Sequence, residues 1–164
     1  MPPAIRGYTY YQARDDRPFR GTVIYVKSNW VAMITKIPDL SDEMAMEQIH
    51  LRVNCLPTLH IIGVYLDCAP TVGHANLVQA RLEAKLESIT QKGEDCILMG
   101  DLNRPMDKPT ELQKTRIMQA WIDSGKVLML NDPKVHTRID PVTGRGSTLE
   151  LAIINLSLKS KVVN

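Results

Sequence analysis

The sequence predicts a mixed α/β domain in which sheet packs against sheet and helices cover the outside. Three observations predict it. The first 65 residues hold several runs rich in β-branched and aromatic residues. Near residue 76 the hydrophobic period lengthens from two to about 3.6. Beyond that point helical and strand patterns alternate. The chain has 164 residues, 44% hydrophobic and 23% charged, which suits one soluble domain with a real core.

The elements follow in order. Residues 21–26 (Gly-Thr-Val-Ile-Tyr-Val) form a strand pattern. A second strand is expected over 31–37, after a turn at Ser28-Asn29, and an acidic connector over 38–43. Residues 47–53 alternate, with Ile49, Leu51 and Val53 on one face and Gln48, His50 and Arg52 on the other, as in a half-buried strand. Leu56-Pro57 interrupts it. Residues 59–65 are nearly continuously apolar, so this strand is expected to be covered on both faces. Together these runs suggest a β-meander. Val78, Leu82, Leu86 and Ile89 then recur at helical spacing, with Asn76 as the expected cap and Gly93 as the stop. Residues 96–99 return to strand. A second helix is expected from Thr110, with Gln113 completing a capping pattern, Ile117, Met118, Trp121 and Ile122 as its apolar stripe, and Gly125 as its end. Residues 127–130 predict a short strand, 131–146 a polar loop and 148–154 a last strand.

Charge and cysteine usage narrow the functional classes. Twenty basic residues against 18 acidic ones exclude a polycationic tail but leave room for a local basic surface. Cys55, Cys68 and Cys96 are odd in number and lack metal-ligand spacing, which fits buried free thiols in a reducing compartment. No apolar run is long enough to span a membrane, and residues 1–6 lack the apolar core of a secretion signal. Nucleus or cytoplasm is the expected location.

Chemistry concentrates at Gly100-Asp101-Leu102-Asn103, which closes the apolar run 96–99 and precedes Arg104-Pro105. An acid and an amide two residues apart would point to one side of a continuing strand. The carboxylate can accept a proton or hold a hard cation, and the amide can orient a phosphate oxygen or a water. The same residues also make an ordinary strand-to-loop turn.

Three more segments accompany this motif: Val64-Tyr65-Leu66-Asp67-Cys68-Ala69-Pro70, Thr137 with Ser147-Thr148-Leu149-Glu150-Leu151-Ala152-Ile153-Ile154-Asn155, and Gly7-Tyr8 with Arg20-Gly21-Thr22-Val23-Ile24-Tyr25-Val26. In this order the chain resembles the endonuclease/exonuclease/phosphatase family. The resemblance is closest to the apurinic-type endonuclease domains of non-LTR retrotransposons and runs from about Gly7 to the end. It implies a four-layer α/β/β/α sandwich (DNase I-like), here in a truncated version, and Mg²⁺-dependent hydrolysis of phosphodiester bonds. On matching positions it implies Asp101 as general base and metal ligand, and Asn103 as a contact to the scissile phosphate or metal. Tyr65 would be a donor to a phosphate oxygen, and Glu150 stands where the family usually has the Asp that supports a catalytic histidine.

Residues 1–164 read as one such domain without the family's opening Asn and Glu segments and without its final Ser-Asp-His. None of His50, His60, His74 or His136 stands in that histidine's context; each reads as a surface or strand histidine. Missing strands would leave exposed sheet edges, open to a partner strand or to self-association. Little nuclease activity is therefore expected of this chain alone. The alternatives are a non-catalytic nucleic-acid- or protein-binding relic of the domain, and a phosphatase acting on small phosphorylated substrates. For DNA, Lys134, Arg138 and Arg145 in the loop 131–146, and Arg104 beside the acid–amide pair, are the candidate phosphate contacts. The loop reads equally as a solvated hairpin turn over 140–144, and Arg104 equally as a partner of Asp107.

Overall fold

The computed structural model describes residues 2–13, 22–38, 46–66, 71–107 and 112–162. Expectations for Arg20 and Gly21, for the connector beyond residue 38, for Asp67, Cys68, Ala69 and Pro70, and for Thr110 lie outside those residues. Ten strands and three helices follow one another: β1 (Tyr8–Gln12), β2 (Val23–Lys27), β3 (Ile34–Ile37), β4 (Met46–Val53), β5 (Leu59–Leu66), α1 (Val72–Gln91), β6 (Asp95–Asp101), α2 (Gln113–Asp123), β7 (Val127–Met129), β8 (Arg138–Ile139), β9 (Gly146–Ser147), β10 (Glu150–Asn155) and α3 (Leu156–Val162).

A six-stranded sheet in the order β3-β4-β5-β6-β10-β7 forms the centre, with β1-β2 and β8-β9 as separate two-stranded ribbons. Of the expected meander, β3-β4-β5 is present and antiparallel throughout, whereas β2 pairs with β1 instead. The β5-to-β6 crossover is parallel and runs through α1, as a parallel pair requires.

Alternation along the strands assigns the two faces of this sheet. Ile62, Val64 and Leu66 of β5, Cys96 and Leu98 of β6, and Leu151 and Ile153 of β10 pack in one core with Leu82 and Leu86 of α1 and Met118 and Trp121 of α2. Burial of each such side chain stabilises the fold by roughly 1.5–3 kcal/mol. The opposite face meets β2 at Gly63. A Cβ there would lie 3.0 Å from Ile24 Cδ1 and 3.2 Å from Thr22 Cγ2, so glycine lets the small ribbon approach. Farther along that face, Met99 is 40% exposed.

Several local expectations change. The run 31–37 is split: residues Ser28–Met33 close into a 3₁₀ turn before β3. Met33 O then accepts from Asn54 N at 2.8 Å, tying the turn beside β4. Helix α1 starts four residues before Asn76, because the hydroxyl of Thr71 accepts from His74 N at 3.2 Å and provides the cap. The weak helix formers Val72 and Gly73 conceal that first turn in the sequence. Among the described residues, α2 begins at Gln113 after Leu112, whose side chain makes no cap bond. Gly93 and Gly125 end the two helices with φ of +71° and +73°. The polar loop contains the short β8-β9 ladder, and α3 had no counterpart in the sequence reading.

Strand β4 is covered on both faces rather than half-buried, since Gln48 and His50 are buried as well. Lys85 of α1 reaches across to Gln48 Oε1 at 3.0 Å. His50 Nε2 meets His60 Nδ1 at 2.7 Å, and His60 Nε2 meets Glu94 Oε2 at 2.9 Å. These two histidines are interior hydrogen-bonding groups and not surface ones. Cys96 is fully buried, and burial pushes its thiol up to about 12 against a small opposing pull from Lys85. It stays protonated and unreactive at neutral pH.

Candidate active site

The carboxyl ends of parallel β5 and β6 and the start of antiparallel β10 meet at one edge of the central sheet. Register pairs Tyr65 with Asp101 and Asp101 with Glu150. Residues paired across a ladder point to the same face, with neighbouring strands about 4.8 Å apart. The three side chains expected from the resemblance therefore stand in one row, on the face that carries Gly63. A phenol and two adjacent carboxylates share one end of the sheet.

The same row holds a fourth side chain. Glu47 pairs with Tyr65 across β4-β5 and is 8% exposed. A sequence signal for it exists. Glu47 has the parity of Ile49, Leu51 and Val53, so it is an acid on the buried apolar side of its strand. Sequence reading passed over it because no motif surrounds it.

The site's geometry is set locally. Gly100 has φ +141°, and a Cβ there would lie 1.9 Å from the carbonyl oxygen of Val64. Only glycine brings β6 this close to β5 just before the acid. Asp101 Oδ1 accepts from Asn103 N at 2.9 Å, an Asx turn that ends the strand. Asn103 takes φ +47°, a conformation asparagine tolerates better than most residues. Its Nδ2 donates to Leu66 O at 2.5 Å. Asn103 thus leaves the strand line, and its amide fastens the end of β6 to the end of β5. The turn reading holds for this segment, whereas Asn103 does not continue the strand beside Asp101 as the acid–amide pattern suggested.

Among the described residues, no group of three or more His, Cys, Asp or Glu side chains is placed to hold a metal ion. Two adjacent carboxylates are nonetheless present. Glu150 Oε2 is buried and has no hydrogen-bond partner. This fits a hard divalent cation, which commonly takes one or two carboxylates and fills its remaining positions with water and phosphate oxygens. Among the described residues, the hydroxyl of Tyr65 has no hydrogen-bond partner, and it can donate to a ligand.

The polar loop is anchored to this edge. Thr137 Oγ1 accepts from Leu149 N at 3.1 Å and Glu150 N at 3.2 Å. The next residue, Arg138, opens β8, and Arg145 lies two register positions along the ribbon. Lys134, Arg138 and Arg145 are exposed. Arg104 differs from them. It is 2% exposed and its Nη1 donates to Asn103 O at 3.1 Å, so its guanidinium lies inside the site's wall. Asp107, its alternative partner in the sequence reading, accepts from Thr148 N at 3.1 Å.

The ribbon's turn has a pH signature. The N–H groups of Thr143 and Val142 hold the Asp140 carboxyl below its ordinary range, with lesser help from the Thr143 hydroxyl and Arg138. A lowered folded value means that the turn is supported at neutral pH and loosens as pH falls through that value. In an NMR titration, the amide shifts of Val142 and Thr143 should move with a midpoint below that of an unstructured aspartate. A midpoint at the ordinary value would contradict the hydrogen-bonded turn.

The endonuclease domain of TRAS1, a telomere-specific non-LTR retrotransposon, matches 95% of this chain and 70% of its own length, with 12% identity and a TM-score of 0.69. A mannosyl-6-phosphatase of Bacteroides thetaiotaomicron matches 93% of this chain and 64% of its own length, with 16% identity and a TM-score of 0.55. TDP2 of D. rerio, complexed with a single-strand DNA product, matches 91% and 62%, with 12% identity and a TM-score of 0.55. The chain spans under two thirds of the length of the last two. No family model matches the sequence, and no curated protein matches it. The fold is that of the endonuclease/exonuclease/phosphatase proteins, a DNase I-like α/β architecture. The neighbours sharing it include a retrotransposon endonuclease domain, a protein complexed with a single-strand DNA product and a phosphatase. No described helix is long and apolar enough to cross a membrane.

Proposed function

We propose that this chain is a retrotransposon-type endonuclease-like domain that holds a phosphodiester of DNA at the Tyr65–Asp101–Glu150 row. The observation that carries the reading is the register placing those side chains on one face at one strand end. Two structural neighbours, TRAS1 and TDP2, act on or bind DNA by their own descriptions.

Each residue has a role that its surroundings support. Asp101 and Glu150 would hold Mg²⁺, which when bound neutralises charge developing on phosphate oxygen. Asp101 keeps one carboxylate oxygen outside its Asx turn, available to orient a water or accept its proton. Tyr65 donates to a non-bridging oxygen. Asn103 and the buried Arg104 position the loop. Arg138, Arg145 and Lys134 lie along duplex phosphates without reading sequence. Turnover by this chain alone is expected to be slight. On β4, the imidazole of His50 points to the other face from Glu47, and on β5 that of His60 points to the other face from Tyr65. The described part of the row therefore lacks a histidine, and catalytic groups acting as a unit lose most of their effect when one is absent.

The test is duplex binding and supercoiled-plasmid nicking with Mg²⁺. Binding is expected to weaken with salt and to fall about tenfold in Arg138→Ala with Arg145→Ala. Nicking should not exceed that of Asp101→Ala. Nicking well above the Asp101→Ala control would make the chain a competent nuclease. Loss of all duplex binding in the parent would remove the DNA reading. Release of phosphate from p-nitrophenyl phosphate, sensitive to the same substitution, would favour the phosphatase branch.

A further inference from the structure

On the helix side of the sheet, away from the carboxylate row, lies a cleft of about 270 Å³ between α1, α2 and the start of β7. Leu86, Trp121 and Val127 line it and are buried, while Leu156 at its lip is 46% exposed. Glu83 and Glu87 stand on the α1 wall one helical turn apart, with Lys126 also on the lining. Glu83 accepts from Gln79 at 3.1 Å. Among the described residues, the side chains of Glu87 and Lys126 have no hydrogen-bond or ion-pair partner.

We propose that this cleft seats a polypeptide segment that inserts one large apolar or aromatic side chain and carries Arg or Lys beside it. The size argues for a single anchoring side chain, because pockets for free small ligands start near 300 Å³. Such anchors commonly dominate the binding energy of an interface. The charges argue for cationic flanks. Two carboxylates and one ammonium line the cleft, which leaves its lining net negative. Trp121 in the lining offers the aromatic surface that a ring or a guanidinium favours. The inference does not depend on the chemistry proposed at the carboxylate row.

The protein carries its own reporter. It has two tryptophans, and Trp30→Phe leaves Trp121 alone in the cleft. The probe is a twelve-residue amidated Gly/Ser peptide with one central phenylalanine between two arginine pairs. Its titration should change Trp121 emission in a saturable way. Glu83→Lys with Glu87→Lys should weaken binding about tenfold or more, and added salt should weaken it in the parent. Exchanging the arginines for glutamates should cost at least as much, and exchanging the phenylalanine for glycine should abolish the signal. No saturable change up to the peptide's solubility limit overturns the proposal. Equal binding of the basic and acidic peptides also overturns it, and that comparison needs only the parent protein should the lysine variant fail to fold.

Discussion

Gly100→Ala is expected to destabilise this protein by about 3 kcal/mol or more, enough to unfold a marginal domain. Two independent effects add. Alanine at φ +141° is strained whatever surrounds it, and its Cβ would enter the space of the Val64 carbonyl oxygen at 1.9 Å. That oxygen belongs to the backbone of β5, so it cannot swing aside as a flexible side chain would. Relief requires β6 to move away from β5, which breaks the pairing that sets Tyr65 beside Asp101. Urea unfolding measures the loss, with Gly63→Ala as the comparison. Around Gly63 the nearest atoms belong to the side chains of Ile24 and Thr22, at 3.0 and 3.2 Å, and they can give. Gly63→Ala should cost much less, on the order of 1 kcal/mol. Similar losses for the two variants would mean that the close approach at Gly100 does not hold the strands together.

The second large effect is on divalent-cation binding. If Asp101 and Glu150 hold Mg²⁺, metal at a hundred times the dissociation constant should stabilise the fold by about 2.7 kcal/mol through mass action and so raise the melting temperature. Asp101→Asn should remove that rise while leaving the Asx turn, because the amide oxygen can still accept from Asn103 N. Glu150→Gln should also remove it, yet make the metal-free protein more stable. It relieves two like charges directly opposite one another and gives the buried Oε2 position a less costly group. Opposite signs with and without metal distinguish a cation site from a merely structural pair of acids. A parent protein whose melting ignores Mg²⁺ and Mn²⁺ alike would end the metal assignment.

Much of the architecture was legible in the residues. Val78, Leu82, Leu86 and Ile89 announced the inner face of α1, and all four are buried. The alternation of Ile49, Leu51 and Val53 announced β4, and Gly93 and Gly125 announced the helix ends. These signals are local: a repeat of two or 3.6 and a residue that tolerates positive φ. Where local signals were weak, the reading slipped. Thr71 capped α1 ahead of Asn76, and residues 31–33, which complete the 3₁₀ turn begun at Ser28, were taken for strand. His50 and His60 do lie on strands, but their burial was not legible, because His50 bonds His60 and His60 bonds Glu94, 34 positions beyond it.

Sequence alone marked the long helices α1 and α2, most of the central strands, and Asp101 as the acid at a strand's tip, since periodicity and turn chemistry act between near neighbours. Tertiary structure decided what stands beside that acid. Tyr65 lies 36 residues before it and Glu150 49 after it, and only the parallel β5-β6 and antiparallel β6-β10 registers make the three adjacent. Register depends on hydrogen bonds and packing between distant segments, so Glu47 entered the row, and Arg104 the interior, only when the sheet closed.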